Sequence, residues 1–167
     1  MVPNEFDPKT SFKYIADHTL LRPRDFILYF KPLESGRYDI PLSKRDVNSL
    51  LGLYSAELIK ELSNELSSFY ESKQISDILD ALRDISDKFN CTYSQAKRII
   101  SNKCLGINSD ELLEDLFTRS VIGSIDKNTN FVRFKHRQSK KDADECNLDK
   151  NGYVIVHSGI KVYIQNR

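Results

Sequence analysis

Between Ser43 and Phe117 apolar residues return every three or four positions, and at Val121 that rhythm gives way to alternation. Such a change of period restricts the chain to a run of amphipathic helices followed by a small sheet, because the two spacings place side chains on one face of different backbones. Val47, Leu50, Leu51, Tyr54, Leu58, Leu62, Leu66 and Phe69 form the longest stripe. They predict one helix running to about Tyr70 with a single buried face. Ser43 followed by Asp46 supplies its start, a variant of the capping pattern. After a polar turn at 71–74, the residues Ile75, Ile78, Leu79, Leu82, Ile85 and Phe89 predict a second helix. Thr92 with Gln95 is a capping box for a third, which buries Ala96, Ile99 and Ile100. Asn108 with Glu111 plays the same part for a fourth, carrying Leu112, Leu113, Leu116 and Phe117.

Upstream, residues 1–10 are polar with two prolines and read as a leader, either the cut edge of a longer polypeptide or the start of a small one. Phe12 to Asp17 predicts a short helical turn, and Pro23 opens a further helix at the one position where a missing N–H is harmless. Pro32, Gly36 and Pro41 break the chain before the long helix. Downstream, Val121–Ile125 predicts a strand, 126–130 a turn, and Phe131–Arg137 a returning strand. Tyr153–Val156 is a short apolar run, and Gly159–Ile164 ends the chain as a small helix or strand. The expected fold is mainly α with a small antiparallel β hairpin. A helical linker or adaptor, residues 1–74, precedes a winged helix-turn-helix-like domain, residues 75–167.

Composition removes several classes of function. A chain of 167 residues can bury a real core, and a formal charge of +1 does not suit a generally basic nucleic-acid binder. The longest apolar run falls short of a membrane span and the start lacks a signal-peptide pattern, so a cytoplasmic location is expected. Cys91, Cys104 and Cys146 are widely spaced, without a Cys-x-x-Cys pair, and read as reduced and structural. No metal and no cofactor are expected; His136, Cys146 and His157 would meet on a metal only by chance of tertiary geometry. No nucleophile motif surrounds His18, His136 or His157, and Asp77, Asp80, Asp84 and Asp87 lie opposite an apolar stripe as a solvated face. No catalytic residue is assigned, and intrinsic enzyme activity is not expected.

One segment is distinctive: Thr19-Leu20-Leu21-Arg22-Pro23-Arg24-Asp25, followed by the apolar Phe26–Phe30. Together with Tyr54-Ser55-Ala56-Glu57-Leu58 and Asn64-Glu65 on the long helix and Val156-His157 near the end, it resembles the region that follows the ATPase domain in a family of bacterial P-loop ATPases, some of them called FunZ-like. The chain has no Gly-x-x-x-x-Gly-Lys-Ser/Thr loop, so no nucleotide-binding residue can be carried over. The resemblance implies a carboxy-terminal piece without its motor, with Arg22, Arg24 and Asp25 at the junction facing the ATPase core of the same polypeptide. An arginine fork at that place would dock a carboxylate or sense the nucleotide state.

The element order also raises DNA. Against it, the helix in the recognition position carries Asp110, Glu111, Glu114 and Asp115 outward, which opposes phosphate binding. The wing is the better candidate: Arg133, Lys135 and Arg137 alternate on the predicted strand, with Lys140 and Lys141 beyond, as a contact for nucleic acid or an acidic partner. The expected function is therefore a non-catalytic interaction and regulatory module, coupling the nucleotide state of an ATPase domain to a protein partner or to self-association. The alternative is a winged-helix DNA-binding module using the basic wing.

Overall fold

A computed structural model describes residues 8–137 and 146–166. Two short helices, α1 (Pro8–His18) and α2 (Pro23–Phe30), lead through a 3-10 turn (Lys31–Ser35) into the 23-residue α3 (Lys44–Leu66). Helices α4 (Ser72–Ser86), α5 (Tyr93–Lys103) and α6 (Ser109–Thr118) follow. The strands β1 (Ile122–Ile125), β2 (Val132–Arg133) and β3 (Tyr153–Val156) and a last helix, α7 (Ser158–Ile164), complete the chain. The protein is mainly helical with a small antiparallel sheet, and α4–α6 with the sheet behind them have the layout of three helices and a β wing.

The caps expected from sequence are made. Ser43 accepts from the Asp46 amide, Thr92 from the Gln95 amide, and Asn108 from the amides of Asp110 and Glu111. Each satisfies a donor that the first turn of a helix leaves without an intrahelical partner. The stripe of α3 is buried from Val47 to Leu66 and that of α4 from Ile75 to Ile85. Phe69 and Phe89, expected to extend those stripes, are instead exposed. Both helices stop three residues earlier than their apolar rhythm, and a serine marks each end. Ser67 donates to the Asn64 carbonyl at 2.7 Å and Ser86 to the Arg83 carbonyl at 2.8 Å. Side-chain bonds of this kind loosen the helical ladder, and Asn90, at φ 52°, then turns the chain away.

The returning strand is shorter than its alternation predicts. Only Val132 and Arg133 pair with β1, on one edge, whereas β3 pairs with all four β1 residues, giving the order β2-β1-β3. Gly123 explains the approach on the β2 side: a Cβ there would lie 2.5 Å from the Arg133 carbonyl oxygen and 2.8 Å from the Phe134 ring. The chain leaves the sheet as Phe134 turns inward, and Lys135–Arg137 form a 3-10 turn. On the other side an isolated bridge between Thr92 and Tyr153, and a bond from the Val154 amide to the Cys91 carbonyl, tie β3 to the start of α5.

One hydrophobic cluster includes Ile15 and Tyr29 of the first helices, the α3 stripe, α4–α6, the sheet and α7. It crosses the sequence position where the adaptor region was expected to end. Helix α7 packs along α3, and Ser55 within α3 donates to the Gly159 carbonyl. None of the described helices is long and apolar enough to cross a membrane.

Candidate functional site

Leu21 at φ 57° and the extended Arg22 turn the chain into α2, where Pro23 and Asp25 occupy the first turn. The Asp25 carboxylate accepts from the Arg22 amide at 3.1 Å and from Arg22 Nη2 at 2.7 Å, with Nε at 3.1 Å. Asp25 has no exposed surface. Its hydrogen bond to Arg22 is the leading cause that raises the guanidinium pKa above its ordinary value. The tyrosine beside this pair, Tyr54, has its phenol pKa pushed far up, by burial first and by the Asp25 charge next. The expectation that Asp25 faces an ATPase core is therefore corrected: it clamps Arg22 from inside. Arg22 reaches Glu61 at 3.4 Å as well, and Arg24 forms an ion pair with the same carboxylate. Of the three charged residues of the motif, Arg24 is the most open, with its side chain 59% exposed.

The wing residues part company. Arg133 stays exposed, its guanidinium 5.8 Å from the Phe131 ring centroid. Lys135 donates to the Cys146 carbonyl at 2.8 Å. Arg137 reaches back to α1, donating to the Asp17 carbonyl at 3.1 Å with its carboxylate at 3.5 Å. Since the strand ends at Arg133, the shared basic face expected for Arg133, Lys135 and Arg137 is not formed. Lys140 and Lys141 lie outside the described residues. The acidic groups of α6 are engaged too: Asp110 accepts from Tyr93 and Lys97, Asp115 pairs with Arg119, and Glu114 with Lys150. The bonds from Lys97 and Tyr93 hold the Asp110 carboxyl below its usual range.

What the structure does bring together is Arg22 and Lys135. They line one cavity of about 310 Å³ between the turn that precedes α2, α3, the end of α6 and the wing turn. Leu58 and Leu62 of α3, with Leu20, Val121 and Ile160, supply apolar wall. Glu61, Glu65 and Arg119 complete its charges. Arg119 is fixed by both Asp115 oxygens at 3.0 Å and by Glu65 at 3.0 Å. Sequence reasoning missed Arg119, Glu61 and Glu65, because helical spacing marks them only as polar positions on α3 and α6.

At the cavity wall His136 meets the buried His157, with ring centroids 5.4 Å apart. His157 caps α7 by accepting from the Gly159 amide, and its Nε2 is buried without a partner among the described residues. The His136 amide donates to Ser120 Oγ, and its Nδ1 is likewise buried and unpartnered. Burial lowers both pKa values, to about 4 for His136 and about 3 for His157, and Arg137 adds to each. Both rings are neutral at physiological pH. Cys146 does not join them: among the described residues no group of three or more His, Cys, Asp or Glu side chains could hold a metal ion. Comparisons of the chain with protein-family models, with curated proteins and with solved structures gave no match.

Proposed function

We propose that the chain is a non-catalytic interaction module of a P-loop ATPase of the FunZ-like kind, and that it docks the ATPase core of the same polypeptide through the outer face of α1 and α2. The observation that carries this reading is the apolar surface there. Ile27 is 67% exposed and Phe12 62%, and Phe30 is exposed on the turn of α2 after Ile27. Phe12 stacks on Phe26 with ring centroids 5.6 Å apart, which joins the two helices into one face. Apolar side chains gathered in this way, beside the open Arg24, have the composition of a contact surface: an apolar centre with a charged rim. The resemblance supplies the choice of occupant.

Docking at α1–α2 has a route to the wing. Asp17 of α1 pairs with Arg137, and the cavity has Arg22 on one wall and Lys135 on another. The test is ATP hydrolysis by the whole polypeptide purified from its native cells. Ile27→Asp should change its turnover by about fivefold or more while the chain keeps its fold. Unchanged turnover in the folded variant, or no hydrolysis by wild type, would remove the proposal.

A second reading, nucleic-acid contact by the wing, has the exposed Phe131 and Arg133 in its favour. Gel shifts against duplex and single-stranded DNA at physiological salt decide it. Binding that disappears in Arg133→Glu would place this reading first.

A further inference from the structure

We propose that the cavity between Arg22 and Lys135 binds an uncharged small molecule, a hydrocarbon body of about ten non-hydrogen atoms carrying one hydroxyl. Its volume of about 310 Å³ lies at the lower end of the range for small-molecule sites. Leu20, Leu58, Leu62, Val121 and Ile160 form an apolar wall for the body.

The charges exclude an ionic head group because they are engaged with one another. Arg22 holds Asp25 and reaches Glu61, which Arg24 also contacts. Arg119 joins Glu65 to Asp115. Four cations, Arg22, Arg24, Arg119 and Lys135, thus stand against four carboxylates, Asp25, Glu61, Glu65 and Asp115. His136 in the same wall is neutral at physiological pH, its pKa lowered to about 4 by burial first. An anion or a cation would bring net charge into a balanced cavity, and would give up its water for partners already taken. A zwitterion keeps the balance but has two charges to dehydrate. A hydroxyl meets neither cost. It can accept from Lys135, whose ammonium has three N–H donors and commits one to the Cys146 carbonyl at 2.8 Å. The carboxylates of Glu61 and Glu65 offer acceptor oxygens for its proton. Asp25 and Asp115 hold two of the arginines in place before a ligand arrives, which lowers the ordering cost of binding. The site stands whatever docks at α1 and α2.

Two-dimensional amide NMR of the full chain tests the proposal, with hexanol and phenylpropanol titrated beside the acid, the amine and the α-amino acid of each carbon skeleton. At least one alcohol should saturate with Kd below about 5 mM, shifting the amides of 118–121 and 135–136. Its three charged counterparts should each bind about tenfold more weakly or worse. Lys135→Met, which keeps an alkyl stem and removes the donors, should weaken the alcohol by about threefold or more. Thr118→Trp, at an exposed lining position outside the ion pairs, should weaken it by about tenfold by filling the mouth, and decides the matter if Lys135→Met fails to fold. The proposal is overturned if no alcohol saturates by about 10 mM, if a charged counterpart binds as tightly as its alcohol, if the shifts lie elsewhere, or if folded variants bind as wild type does.

Discussion

Asp25 has no route to water, and the Arg22 side chain and amide satisfy its oxygens at once. Removing that guanidinium strands a carboxylate in the interior. Arg22→Ala should therefore cost about 3 kcal/mol in denaturant unfolding. Arg24→Ala, which breaks an exposed ion pair, should cost under about 0.5 kcal/mol. Equal losses would mean that Asp25 finds another partner. The sequence shows both arginines as a matched pair, and only burial tells them apart. The two buried histidines give a pH prediction. Their folded pKa values, about 4 and about 3, lie below the ordinary 6.5, so the unfolded chain takes up more protons once the pH falls below that value. The stabilisation is complete above about pH 6.5 and is lost as the pH drops towards 4. Unfolding free energy should fall by about 3–5 kcal/mol over that interval, most of it from His157 after allowance for the solvent that reaches His136. In His157→Asn, whose amide side chain can still cap α7, that slope should flatten.

Among the elements, caps were easier to foresee than ends. Ser43, Thr92 and Asn108 act within three residues of themselves, so their role can be read locally. Phe69 and Phe89 continue an apolar spacing past the place where Ser67 and Ser86 and the left-handed Asn90 end it. The alternation from Phe131 to Arg137 is real, but β1 takes β3 as its main partner, and that choice depends on chain brought in from residue 153 onward. Gly123 sits between the two edges. Gly123→Ala should cost about 2–3 kcal/mol, as forced overpacking does, and should displace Phe134 with the Lys135–Arg137 turn behind it. Calorimetry gives the loss, and wing amide shifts show the displacement. An Ala variant as stable as wild type would mean that β2 lifts away without consequence.

The whole molecule joins what the sequence keeps apart. Asp17 and Arg137 meet 120 positions apart, and Ser55 reaches Gly159 across 104. No local pattern announces such contacts, which is why the mainly helical fold with its β wing was legible and the cavity was not. The same contacts explain how docking on α1–α2 would be felt at the wing without a hinge between them. Which face of the chain is covered is the central question, and hydrogen exchange on the polypeptide that joins it to the proposed ATPase core, set against the chain alone, addresses it most directly. Slowed exchange across Lys13–His18 and Pro23–Phe30 is the outcome the account predicts. Slowing confined to α6 and the wing, with α1 and α2 exchanging as they do in the free chain, would contradict it.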